Sequence, residues 1–159
     1  MTFGTVAAAG DTFFSNIAAA SAGFPPAGYT IRQNSLHYNI ITTAPYAGPV
    51  LVCIVAFNVD DPEEFARLRI LSREGGQLFD RTVHSPSFPA PNYAARQICA
   101  RVDVVSDFYI ALSPLYTVAG RVLTPSGQGL RNATVVLTDY RGVRRTATTS
   151  SFGTYSFEN

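Results

Sequence analysis

The chain has 159 residues, 47% hydrophobic and only 14% charged, which is enough apolar surface for one sizeable core or two small ones and too little charge for intrinsic disorder. Its twelve basic residues, every one an Arg, face eleven acidic ones, so a net charge of +1 supplies no field for gathering nucleic acid or anionic lipid. Without any Lys, the chain lacks a Schiff-base amine, a P-loop lysine and a Lys–Asn isopeptide crosslink.

No stretch approaches the roughly 20 apolar residues of a membrane span, and the longest apolar run, Val50 to Phe57, has the length of a strand. Met1 is followed by Thr2, Phe3, Gly4 and Thr5, with no charged and apolar regions of a secretory signal, so the sequence reads as cytosolic or as trimmed at its start.

Short runs of Val, Ile, Thr, Phe and Tyr alternate with Gly, Pro, Ser and Asn clusters, the spacing of an antiparallel β-sandwich. Opening strands are predicted over residues 2 to 6 and 11 to 18, then a turn-rich stretch from Ala22 to Gly28, then strands near Tyr29 and over residues 36 to 43. Residues Val50 to Phe57 are apolar at both parities, whereas a strand with one wet face alternates. Both faces of that strand therefore call for cover, from an overlying loop or from another subunit.

In Asp60-Asp61-Pro62-Glu63-Glu64-Phe65, Asp61 suits an N-cap, Pro62 the first helical position and Glu64 the closing place of a capping box, which predicts a single helical turn rather than a calcium loop. Paired glycines at Gly75-Gly76 supply the positive φ of a tight hairpin between residues 68 to 73 and 77 to 83. A proline-rich loop, Ser85 to Pro91, leads to a strand over residues 95 to 104, with Ile98, Ala100, Val102 and Val104 on one face and Cys99, Arg101 and Asp103 on the other. A last strand runs from Phe108 to Leu112, and Ser113-Pro114-Leu115-Tyr116 reads as linker. The expected organisation is a module over residues 1 to 113, a linker over 114 to 117 and a second module over 118 to 159.

The second module resembles the carboxypeptidase regulatory-like domains, which are transthyretin-like β-sandwiches. The resemblance rests on Val118-Ala119-Gly120-Arg121-Val122-Leu123-Thr124-Pro125, Asn132-Ala133-Thr134-Val135-Val136-Leu137-Thr138-Asp139, Arg141-Gly142-Val143 and Ser151-Phe152-Gly153-Thr154-Tyr155-Ser156-Phe157. The first module is similar to a β-sandwich found just before such domains in large bacterial secreted or surface proteins, through Ala47-Gly48-Pro49-Val50, Phe65-Ala66-Arg67-Leu68, Glu74-Gly75-Gly76, Pro89-Ala90-Pro91 and Ile98-Cys99-Ala100-Arg101-Val102. Together they imply an all-β chain of two sandwiches, immunoglobulin-like and then partial transthyretin-like, in an extracellular or bacterial cell-surface setting.

The resemblance implies that such a domain continues past Phe157, so the second module is expected to be a half-sandwich. A piece of about 40 residues does not bury enough surface to fold unaided, and its open strands would present Val122, Val135, Leu137, Tyr155 and Phe157 as an assembly surface. Two readings follow. One is a homopolymer in which a strand from a neighbouring copy completes each sandwich, and the other is a glycan-binding or spacer module cut from a larger adhesive protein.

The resemblance also suggests an oxidised pair, Cys53 with Cys99, closing a loop worth about 4 kcal/mol. Because Cys99 shares a face with Arg101 and Asp103, that bond can tie adjacent strands on the outer surface instead of bridging the core. A bond between subunits and two buried thiols are the remaining readings. His37 and His84 show no metal-ligand spacing and read as surface or hydrogen-bonded structural groups. His84-Ser85 lacks a nucleophile elbow, no glycine-rich loop opens a helix, and no cofactor is implied, so the expectation is a protein that is not an enzyme. The aromatic residues are read as core or as a sugar-stacking surface. Asn132-Ala133-Thr134 meets the glycosylation sequon.

Overall fold

The computed structural model describes residues 1–84, 91–138, 142 and 144–158. The chain divides into two compact units, Met1–Pro114 and Leu115–Asn159. In the first, the strands are β1 (Thr2–Val6), β2 (Thr12–Ile17), β3 (Thr30–Ile31), β4 (His37–Thr42), β5 (Tyr46–Val55), β6 (Leu68–Glu74), β7 (Gln77–Asp80), β8 (Gln97–Val102) and β9 (Asp107–Leu112), with one short helix, α1 (Pro62–Ala66), and a 3-10 turn at Ala19–Ala22.

These strands form two antiparallel sheets, β1-β5-β8 and β2-β4-β9-β6-β7, with β3 added beside β9. Alternation of side chains across a strand gives each sheet one face for the core. Val50, Val52 and Ile54 of β5 and Ile98, Ala100 and Val102 of β8 meet Ile40, Leu68, Ile70, Phe108 and Ile110 of the larger sheet, all buried, in a single cluster. The all-β sandwich expected from the sequence is what forms.

The larger sheet is covered on its other face too. Leu71, Leu78, Tyr109 and Ala111 pack with Ala22 and Ile31 in a second buried cluster, so the segment between β2 and β3 lies over that face. Tyr109 is wholly buried, and its hydroxyl meets the Ser21 hydroxyl at 3.0 Å and a guanidinium nitrogen of Arg73 at 3.0 Å.

The caps and turns follow local chemistry. Asp61 caps α1, its side chain accepting from the Glu63 N–H at 3.0 Å, and Pro62 starts the helix. Glu64 does not close a capping box in the described contacts; it pairs with Arg32 at 3.0 Å. Gly75 and Gly76 take φ of +57° and +84° at the β6–β7 turn, where the Arg81 guanidinium grips Glu74 through both carboxylate oxygens at 2.8 and 2.5 Å. That hydrogen bond from Arg81 holds the Glu74 carboxyl below its usual value.

Three expectations are corrected. The strand expected over residues 77 to 83 stops at Asp80, because Arg81 to Val83 cross to the other sheet: Thr82 bridges Ala100, and the Val83 N–H donates to Cys99 O at 2.8 Å. The strand expected over residues 95 to 104 is β8 alone, and Val104, assigned to its inner face, lies beyond it and is 64% exposed. The apolar run from Val50 ends as a strand at Val55; its outer face leaves Leu51 and Cys53 half-buried and Val55 exposed, short of the full cover expected. The turn-rich stretch expected from Ala22 to Gly28 contains no strand, and a 3-10 turn at Ala19–Ala22 leads into it. Most of the proline-rich loop, residues 85 to 90, and Asp139, Arg141 and Val143 lie outside the described residues.

The second unit consists of two antiparallel ribbons, β10 (Thr117–Arg121) with β13 (Thr154–Glu158) and β11 (Thr134–Thr138) with β12 (Arg144–Thr148). Gly142, between β11 and β12, has φ +82°, the left-handed conformation that the expected reversal needs.

Truncating the side chain at the middle of the first unit's core tests this architecture. Phe108→Ala, at a position with no exposure, is expected to cost about 3 to 5 kcal/mol, read as a lower midpoint in urea denaturation of the full chain.

Candidate assembly surface

Register places Gly120 opposite Tyr155 and Val118 opposite Phe157, so Val118, Gly120, Tyr155 and Phe157 share one face of the β10–β13 ribbon. The rings of Tyr155 and Phe157 meet edge to face, with centroids 5.9 Å apart. Glycine at position 120 is required by this packing, since a Cβ there would sit 2.7 Å from the Tyr155 hydroxyl. On the other ribbon, Val135 faces Ala147 and Leu137 faces Arg145.

The expected assembly residues are therefore placed unequally. Phe157 is buried, whereas Val122, Val135, Leu137 and Tyr155 are half-buried. Val122 sits just past β10, where its N–H donates to Gly153 O and its carbonyl accepts from the Leu130 N–H, both at 2.8 Å. Sequence reasoning did not single out Val118, Val136 and Phe152, which are 45%, 40% and 71% exposed. The alternation within Thr117–Arg121 and Thr134–Thr138 was the available signal for the first two.

Both buried apolar clusters of the described residues belong to the first unit. The second unit relies instead on turns: buried Thr149 donates its hydroxyl to Leu130 O at 2.6 Å and accepts from the Ala133 N–H at 2.8 Å. Arg121 donates through two nitrogens to Phe152 O at 3.2 and 3.1 Å. Among the described residues, each of β10, β11, β12 and β13 has a ladder along one edge only. The unpaired edges carry N–H and C=O groups able to bind a further strand.

Cys53 and Cys99 form a disulfide. They are directly opposed in the β5–β8 ladder, on the face away from the core that also carries Leu51 and Arg101, so the bond ties neighbouring strands of one sheet. This settles the readings left open by the sequence: the bond neither bridges the two sheets nor joins two chains.

Comparison with family models, curated proteins and solved structures finds no match for this chain.

The remaining sequence candidates separate in space. Asn132 is exposed at a turn before β11, with φ +58°. Among the described residues, no three His, Cys, Asp or Glu side chains come together as a metal set and no helix is long and apolar enough to cross a membrane.

His37 is a buried structural group. β9 is flanked on one side by β4 along its first half and by β3 along its second, and His37 fills the junction. Its Nδ1 accepts from the Ile110 N–H at 3.0 Å, and its Nε2 donates to Arg32 O at 2.8 Å. That pairing requires a neutral ring protonated at Nε2. Burial lowers its affinity for a second proton below the usual value of 6.5, outweighing the bond to the Arg32 carbonyl, which acts in the opposite direction.

Two measurements follow from these contacts. Replacing both cysteines by alanine opens a loop spanning 46 residues and is expected to lower stability by about 2 to 4 kcal/mol, measured by chemical denaturation, while the sandwich signal in circular dichroism remains. For His37, the folded state binds its proton less readily than the unfolded state. Its contribution is thus complete above the unfolded value of 6.5 and is lost as the pH falls below it. Melting temperatures should decline from about pH 7 to about pH 5, and His37→Gln should flatten that decline.

Proposed function

We propose that this protein is a non-catalytic structural subunit of an extracellular filament or surface appendage, assembled from copies of itself by β-strand complementation. What carries the reading is the second unit: two thin ribbons, each strand laddered on one edge, with Val118, Val135, Leu137 and Tyr155 half-buried or exposed. A strand from a neighbouring copy would pair the open backbone groups and cover those side chains together. Head-to-tail transfer of this kind need not close, and so grows as a filament.

Two further observations support an oxidising, extracellular setting. The chain has a disulfide and no free cysteine. The resemblance of residues 118 to 159 to carboxypeptidase regulatory-like domains points to the same compartment, as does that of the first module to bacterial secreted sandwiches.

A glycan-binding or spacer module is the second reading, favoured by the exposed rings of Phe24, Phe57 and Phe152, which are 98%, 79% and 71% accessible. These rings lie on separate elements and carry no polar group to orient a sugar, which places the reading second.

Electron microscopy of the native full chain, with a denatured mass on the same sample, separates the two. Ordered filaments of the 17.1 kDa chain that are lost in Val118→Lys, with the critical concentration raised by about tenfold or more, support strand complementation. Dispersed particles with saturable glycan binding overturn it.

A further inference from the structure

Among the described residues, the sheets of the first unit end on β1, β7, β8 and β2, with the two-residue β3 a further short edge beside β9, and all but β2 are blunted. β1 carries a register break between Phe3 and Thr5; β7 has four residues, ends on Asp80 and is flanked by Glu74 and Arg81; the outer edge of β8 is covered, Thr82 bridging Ala100 and the Arg101 N–H donating to Arg81 O at 2.9 Å. Bulges, short length, charge and cover are the ordinary protections of an edge.

β2 has no register break and no charge within it, with Asp11 just before its first residue. It pairs with β4 over six consecutive residues without a break, from Thr12 opposite Thr42 to Ile17 opposite His37, and among the described residues nothing pairs with its other side. The sequence contains no charged residue between Asp11 and Arg32, and β2 contains no proline. Phe13 and Phe14, on opposite faces of the strand, are 60% and 74% exposed.

From these observations we infer that β2 is a self-association edge, which pairs antiparallel with β2 of a second copy about a two-fold axis perpendicular to the sheet. The occupant follows from charge and parity. A strand docking here buries the side chains beside it, so it must be uncharged and bring an apolar group to each face; β2 contains no charged residue and carries Phe14 on one face and Phe13 and Ile17 on the other.

The backbone fixes the register. Ile40, opposite Phe14, sends its N–H away from β2, to Ser106 O at 3.0 Å, so Thr12, Phe14 and Asn16 direct their N–H and C=O groups to the free edge. A two-fold axis at Phe14 places Phe14 against its own copy and Thr12 against Asn16, giving every one of these groups a partner. Phe14 then meets Phe14 on one face, and Phe13 meets Ser15 on the other. This interface stands on the first unit alone and does not depend on strand exchange at the second.

The test uses the full chain in sedimentation equilibrium and in oxidative crosslinking. Phe14→Lys sets two like charges directly opposite each other at a position 74% exposed in the single chain, where the Phe14 ring meets Tyr38 edge-on, and is expected to raise the dimer dissociation constant by about tenfold or more while the chain stays folded by circular dichroism. Phe14→Cys is expected to crosslink to its copy, since hydrogen-bonded antiparallel pairs have Cα atoms about 5.5 Å apart, within disulfide reach. Ser15→Cys, which faces Phe13, is expected to stay reduced. The native cysteines are already paired, so any new bond reports the introduced thiol. A monomeric wild-type chain, a Phe14→Lys variant that associates normally, or preferential crosslinking through Ser15→Cys would overturn the proposal. If strand exchange alone fails, filaments disappear while the Phe14→Cys crosslink persists; if this edge alone fails, filaments persist without it.

Discussion

A strand buried on both faces needs apolar neighbours above and below and a hydrogen-bond partner along both edges. Asp107–Leu112 imposes all of these demands at once, with Phe108, Tyr109, Ile110 and Ala111 each buried. Phe108 and Ile110 are satisfied by the sandwich core, and Tyr109 and Ala111 by the segment between β2 and β3 laid over the sheet. β6 completes one edge. The other edge is shared between β3 and β4, and the imidazole of His37 takes the Ile110 N–H at the gap between them. A histidine here acts as a piece of backbone: one nitrogen accepts where a carbonyl would, and the other returns a donor to Arg32 O.

The same demand shows where the sequence was legible. Apolar residues at both parities were read at Val50–Phe57, and the inference of two-sided cover was drawn there. In the structure, that strand's outer face is only half-buried around the Cys53–Cys99 bond, and Phe57 lies beyond it. Phe108–Leu112 has the same pattern in a shorter run and is the strand that receives full cover. Periodicity therefore identified the right class of strand but not which one lay at the centre, because cover depends on where a turn-rich segment such as residues 18 to 29 comes to rest. Local chemistry transferred better: the Asp61 cap and the Gly75-Gly76 turn depend on neighbours in the chain, and both stand where the residues indicated. Glu64 departed from its expected place because Arg32, distant in sequence, offered a stronger partner.

The candidate site was legible only in part for the same physical reason. Alternation identified which residues of the second unit share a face, and Tyr155 and Phe157 do meet. Degree of burial was not accessible to that reasoning. Phe157 is covered, and Val118 opposite it is 45% exposed. The second unit thus differs from the first in kind: its order comes from turn hydrogen bonds around Thr149 and Arg121, with no buried apolar cluster among its described residues.

Charge placement is uneven within the larger sheet of the first unit. In the larger sheet, the charged side chains concentrate on β6, β7 and their turn, where Arg69, Arg73, Glu74, Asp80 and Arg81 engage one another or Asp107. Such side chains make an edge costly to cover, since a docked strand would have to desolvate them. At the other end of the same sheet, β2 consists of Thr, Phe, Ser, Asn and Ile, with Asp11 just before it, and covering the strand itself costs no ionic hydration. The two ends of one sheet therefore differ in the ionic hydration that covering them would remove.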